Sequence, residues 1–174
     1  MKVRVTCAAI VVALSACASS APLRFYTLSA APGAQSGSTG GIRVARVKIP
    51  GEIDRTEIVQ RIDANRLRIA EQDRWAAPLD EMIRRVLSSN LQSRGGQSAD
   101  ATVSVEIDEF IGDTACAVTL RASWEQKAGD GTHARNGREV INVPAPSSSP
   151  CAAGALPAVM SEALAQLSQR ILSP

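Results

Sequence analysis

Aromatic side chains make up only 3% of the 174 residues, and histidine occurs once, at His133. So few rings leave little on which bases or sugars could stack. One histidine and scattered cysteines give no pair with zinc-ligand spacing. His133 lies in a loop rich in Gly, Asp and Thr, and no Gly-x-Ser-x-Gly elbow accompanies it. A phosphate loop and a dinucleotide fingerprint are both missing. Glu106, Asp108 and Glu109 form an acidic cluster. Glu106 and Asp108 alternate along a strand pattern and read as a solvated face, not as a catalytic pair. These absences argue against an enzyme and imply no cofactor and no metal. The sequence also lacks any apolar run near the roughly 20 residues that a ~30 Å hydrocarbon core requires.

The apolar stretch at the N-terminus, Val5 to Ala13, follows Lys2 and Arg4 and ends in small residues. A basic start, a short apolar run and a small-residue end describe a signal peptide, not a spanning helix. Leu14-Ser15-Ala16-Cys17 resembles the lipobox of bacterial lipoproteins. That resemblance implies cleavage after residue 16 and acylation of Cys17. Ala18 stands where an Asp would retain such a protein at the inner membrane, so the implied location is the outer membrane, facing the periplasm. One acyl chain gives reversible binding, whereas two or three hold permanently. The organisation expected is a signal at 1–16, a lipidated cysteine and tether at 17–23, and a single domain at 24–174.

Loss of the signal removes Lys2 and Arg4, which leaves 17 of the 19 basic residues against 17 acidic ones. A mature chain of near-zero net charge lacks the global basic field of a nucleic-acid binder. Cys7 leaves with the signal. With Cys17 acylated, Cys116 and Cys151 remain as an even pair. An oxidising compartment favours a disulfide between them, and two free thiols are the alternative.

Periodicity divides the domain. Arg24 to Leu28 reads as a strand, followed by a Ser/Gly/Ala/Pro-rich loop to Gly41. Ile42 to Ile49 is a strand whose apolar phase switches near Ala45-Arg46, which calls for a bulge. Residues 57–62 and 66–71 read as a hairpin turning at Asp63-Ala64-Asn65. In its second strand Leu67 and Ile69 alternate with Arg66 and Arg68. Pro78 to Arg94 carries a helical stripe of Leu79, Met82, Ile83, Val86, Leu87 and Leu91, with Pro in the first turn. Ala101 to Asp108 and Ala115 to Glu125 alternate as strands, the second with Cys116, Val118, Leu120, Ala122 and Trp124 inward. Arg138 to Val143 is a further strand. A second helix runs from about Leu156 to Leu172. The fold class expected is α/β in the sense of an α+β sandwich: a single mixed, mostly antiparallel β-sheet packed by two amphipathic helices.

Read in order, the lipobox, Phe25-Tyr26-Thr27-Leu28, the Ile-Pro end at 49–50, Ile58-Val59-Gln60-Arg61, Asn65-Arg66-Leu67, Arg74-Trp75-Ala76-Ala77-Pro78-Leu79, Leu120-Arg121-Ala122-Ser123-Trp124 and Met160-Ser161-Glu162-Ala163-Leu164 resemble the PqiC-type family, the ABC-type transport auxiliary lipoproteins. The resemblance implies an accessory subunit of an MCE-type ABC lipid-transport system. It also implies an MCE-domain periplasmic protein with its permease and ATPase as partners, a role in envelope integrity, and room for a homo-oligomer. Trp75, Arg66 and Arg68 are the candidate partner-binding residues. For Trp75 the alternative is a plug packed under the helix start, and for the arginines a solvated edge. A lipid carrier with its own pocket, or a lipoprotein that assists assembly of another outer-membrane complex, are the competing functions.

Overall fold

The computed structural model describes residues 21–34, 42–94, 101–130, 134–145 and 151–173. Cys17, the signal segment and His133 lie outside them. The elements in chain order are β1 (Arg24–Tyr26), β2 (Arg43–Lys48), β3 (Glu57–Arg61), β4 (Leu67–Trp75), α1 (Leu79–Arg94), β5 (Thr102–Asp113), β6 (Val118–Lys127), β7 (Ala134–Val143), a 3-10 turn (Ala153–Ala155) and α2 (Leu156–Leu172). The seven strands form one mixed sheet in the order β1-β4-β3-β5-β6-β7, with β2 also on β5. Pairs β3–β4, β5–β6 and β6–β7 are antiparallel, and β1–β4, β2–β5 and β3–β5 are parallel. The two longest ladders, β5–β6 and β6–β7, are antiparallel.

β5 is the spine. Its N-terminal half pairs with β2 from Thr102 to Glu106, and its last two residues pair with β3. β6 occupies the other edge along nearly its whole length. Two strands thus share one edge of β5, end to end. This needs a strand longer than alternation from Ala101 to Asp108 indicates. The register of β5 against β6 shifts between Ile107 and Glu109, so Asp108 is the extra residue of a bulge. Val103, Val105 and Ile107 point inward before it, Phe110 and Gly112 after it. The bulge foreseen in β2 is also present, between Val44 and Arg46.

Both helices lie on the same face of the sheet. Leu79, Met82, Ile83, Val86, Leu87 and Leu91 of α1 are all buried, as are Leu156, Val159, Met160, Ala163, Leu164, Leu167 and Ile171 of α2. Opposite them are Val103, Val105, Ile107, Phe110, Val118, Leu120, Ala122 and Trp124. Pro157 stands in the first turn of α2, where its missing N–H costs no hydrogen bond. Ser168 is buried inside α2 because its hydroxyl donates to the Leu164 carbonyl at 2.8 Å.

β7 begins at Ala134, earlier than its apolar residues imply. Gly137 makes this extension possible: it pairs with Trp124, and a Cβ there would stand 2.7 Å from the indole ring. The ring fills the space a side chain would take, and the Arg135 guanidinium lies 5.7 Å from its centroid. Gly137→Val is expected to displace Trp124 and lower the unfolding free energy by about 1–3 kcal/mol, the usual cost of overpacking, as measured by urea denaturation.

Candidate interaction surface

The end of the sheet where β3 turns into β4 gathers the residues singled out from the sequence. Arg66 and Arg68 are both exposed there. Arg66 pairs with Asp63 at 2.6 Å, and the Asp63 side chain also accepts the Asn65 N–H at 3.0 Å, which shapes the hairpin turn. Arg68 donates to the side-chain carbonyl of Gln60, which is fully buried. The Gln60 amide in turn lies 3.5 Å from the Cys151 sulfur. Gln60 is a polar residue in an apolar strand, buried at no uncompensated cost because both ends of its amide have partners. Nothing local in Ile-Val-Gln-Arg announces that role.

Cys116 and Cys151 form a disulfide with Cα atoms 5.3 Å apart. It ties the β5–β6 turn to the segment that leads into α2. Cys116 lies in that turn and not in the strand, as its alternation with Val118 had implied. It is nonetheless buried, and its φ of 69° is left-handed, a conformation that costs a non-glycine residue roughly 1 kcal/mol. Asp113 holds the turn, since its carboxylate accepts the N–H groups of Ala115 and Ala117 at 2.8 and 2.9 Å.

Trp75 lies at the far end of β4, away from the hairpin turn. It is 5% exposed, its backbone N–H donates to the Thr56 carbonyl at 2.7 Å, and its side chain belongs to the core. The reason lies in β1. Arg24 grips Asp73 with two hydrogen bonds, of 2.7 and 3.0 Å, and this places β1 beside the end of β4. With Asp73 turned inward, Trp75 follows two residues later on the same side. Asp73 raises the pKa of the Arg24 guanidinium by hydrogen bond and charge. Tyr26 of β1 packs so closely on Gly154 that a Cβ there would meet its hydroxyl oxygen at 2.3 Å. Burial pushes the Tyr26 phenol above its ordinary value, with Asp73 adding to the rise.

The acidic cluster is dispersed in ion pairs. Glu106 meets Lys48 at 2.6 Å, while Glu109 meets Arg61 at 2.8 Å and Arg121 at 2.9 Å. Among the described residues no group of three or more His, Cys, Asp or Glu side chains could hold a metal ion. No helix among them is long and apolar enough to cross a membrane. Among the described residues, three clefts stand out, each open to solvent. One of about 650 Å³ runs across the sheet face away from the helices, between Arg46, Lys48, Ser104, Glu106, Ser123 and Arg138. A second, of about 480 Å³, lies between the chain after β1 and the start of α2, beside Pro32, Pro157 and Ser161. The third, of about 220 Å³, lies under the hairpin tip between Ile53, Leu67 and Ile111. The first and third clefts carry charged residues in their walls, whereas the second is lined mainly by Ala, Pro and Ser.

A model of the family described as the ABC-type transport auxiliary lipoprotein component matches residues 26–172, from the last residue of β1 to the end of α2. The chain belongs to that family. The family's name makes this protein a lipoprotein, hence a membrane-anchored protein of the cell envelope, and an auxiliary of an ABC-type transport system. Two crystal structures are similar to this auxiliary lipoprotein. One, of an uncharacterized protein, has a TM-score of 0.68 at 19% identity and covers 87% of this chain and 97% of its own. The other, a Xanthomonas campestris protein of the family DUF330, has a TM-score of 0.58 at 19% identity and covers 86% and 92%. At such identity they show that the fold is shared. No curated protein matches the sequence.

Two predictions follow from this end of the lipoprotein. Replacing both Cys116 and Cys151 by Ser frees a loop of 35 residues and is expected to lower the unfolding free energy by about 3–4 kcal/mol, read from the urea midpoint. The pH dependence has a definite sign. Glu57 is held below the usual carboxylate range by its own backbone N–H and then by Arg55, Asp63 by the Asn65 N–H and then by Arg66, and Glu106 by Lys48. Carboxyl groups lowered in the folded state contribute fully above their unfolded values, near pH 4.5, and the contribution fades as pH falls through the folded ones. Stability is expected to drop on acidification below about pH 4.5, less steeply in Glu106→Gln and less steeply in high salt, because these groups face solvent.

Proposed function

We propose that the protein is anchored through an acylated Cys17 to the periplasmic face of the outer membrane. There it serves as the docking subunit of an MCE-type ABC lipid-transport system. The family match over nearly the whole domain carries the reading. Leu14-Ser15-Ala16-Cys17 supports the anchor, for it places a thiol directly after a signal-like apolar segment. The helix-free sheet face supports docking. Its polar cleft presents Arg46, Lys48 and Arg138 with Glu106 and the hydroxyls of Ser104 and Ser123. Such a surface matches a partner by charge pattern and hydrogen bonds. The partner in this reading is the periplasmic MCE-domain protein, with the permease and ATPase beyond it. Arg66 and Arg68 remain available for contact at the other end of the sheet. A carrier with an enclosed lipid pocket finds no support in the three clefts, all of which open to solvent.

Two measurements test the reading. Cys17→Ser should move the protein from the membrane pellet to the soluble periplasmic fraction and abolish metabolic labelling with palmitate. A photo-crosslinker in place of Arg138 should capture the MCE protein in cells, and one in place of Gln169 on α2 should not. Recovery of no MCE protein from either site would overturn the docking role. Palmitate labelling that persists in the Cys17 variant would overturn the anchor.

A further inference from the structure

Among the described residues, β1, β2 and β7 each leave one side without a strand partner. Natural sheets blunt such edges, because a row of unpaired N–H and C=O groups accepts another strand. β1 offers only three residues, and β2 six that a bulge interrupts. β7 is not blunted in either way. All ten of its residues, Ala134 to Val143, pair with β6 without a shift in register, and no proline stands among them. Val140, in its second half, is 56% exposed.

The β5–β6 turn fixes which backbone groups of β7 face the open edge. The Asp113 N–H donates to the Ala117 carbonyl at 2.9 Å, so these two residues form a hydrogen-bonded pair. In an antiparallel ladder such pairs alternate with pairs whose N–H and C=O groups point away from each other. Val118, opposite Gly112, therefore turns its groups from β5 toward β7, where it meets Val143. The β6–β7 ladder runs back from that pair without a shift. Asn136, Arg138, Val140 and Asn142 thus direct their N–H and C=O groups to the open edge, while Gly137, Glu139 and Ile141 direct theirs to β6. The side chains of the same four residues are exposed, on the face that the helices leave uncovered. Asn136 and Arg138 also line the cleft on that face, so edge and cleft are continuous.

We infer that β7 takes up an extended segment of the docking partner as one more strand of the sheet, with a carboxylate of that segment on Arg138. The inference rests on the docking reading above and says how the partner is held. Main-chain hydrogen bonds along the edge supply affinity, and side chains at alternate positions supply choice. Charge selects the occupant. Arg138 meets no carboxylate among the described residues; Glu125, diagonal to it across β6, meets Lys127 at 3.4 Å instead. A strand added beside β7 sets a side chain about 5 Å from that of Arg138, and an acidic one there is favourable. A second copy of β7 cannot supply it. Its own edge-facing residues, Asn136, Arg138, Val140 and Asn142, include no acid, and Glu139 lies on the helix side. The partner segment is therefore acidic opposite Arg138 and aliphatic opposite Val140.

The test keeps the full-length lipoprotein in cells, with a photo-crosslinker in place of Asn136, and reads the yield of crosslinked MCE protein. Val140→Pro removes an edge-facing N–H and leaves the ladder to β6 whole, whereas Val140→Ala removes only side-chain atoms. The proline should lower the yield by about tenfold and the alanine by much less. Arg138→Glu should lower it as well, and Arg138→Lys should keep most of it. Undiminished capture in Val140→Pro, or capture from position 138 but not from 136, overturns the strand addition and leaves docking standing. Crosslinks from position 136 to a second copy of the lipoprotein overturn the choice of occupant. No capture from either position defeats the docking reading and this inference with it. Hydrogen exchange on the purified complex with the MCE protein needs no substitution. In the lipoprotein alone the Val140 and Asn142 amides should exchange fast beside slow Glu139 and Ile141, and the partner should slow them. Amides at 140 and 142 that exchange alike with and without the partner overturn the inference, even where a proline variant fails to fold.

Discussion

The structure depends on how one long strand divides its edges. β5 gives one edge to β6 and splits the other between β2 and β3. β2 would otherwise be a lone strand, and β1, β4 and β3 a small piece of sheet detached from the rest. Joined to β5, both present inward residues to the same helical layer. The bulge at Asp108 keeps the inward face continuous, so that Val103 and Phe110, at positions of opposite parity, both reach the core. A strand that kept strict alternation through that point would turn Phe110 to solvent and lose the attachment of α2 at this end of the sheet.

Much of this was legible because burial on one face writes its period into the chain. The stripes of α1 and α2 and the alternation of β6 fell where read, and the phase switch in β2 disclosed its bulge. β5 was cut short because the same device works against the reader there. A bulge next to Phe110-Ile111-Gly112 destroys alternation, and the residues after it look like a turn. β4 was cut short for another reason: Glu71-Gln72-Asp73-Arg74 has no apolar member. Its strand character comes from β1, through an ion pair between positions 24 and 73 that no local pattern reports. Trp75 inherits its burial from that pairing. A tryptophan beside a helix start reads equally well as a plug or as a contact until the strand phase two residues earlier is known.

The surface divides along similar lines. Exposed arginines on the hairpin could be foreseen from alternation with Leu67 and Ile69. Gln60 could not, since its amide is satisfied by Arg68 on one side and by the Cys151 sulfur on the other, both brought there by tertiary structure. The family match assigns the chain to an envelope transport system without naming a reaction. Its exposed features are open clefts, arginines on the β3–β4 hairpin and a short edge strand, β1.

The edge strand β1 also has a mechanical side. Because β1 lies parallel to β4, with the preceding chain leaving from its first residue, tension on the N-terminal segment acts along the strand axis. It loads the β1–β4 contact in shear, so the three residue pairs and the two Arg24–Asp73 bonds share the force together. They would yield as a unit, and β2 to β7 with their two helices would stay intact behind them. A domain built this way would lengthen its leash under strain before it surrendered its core.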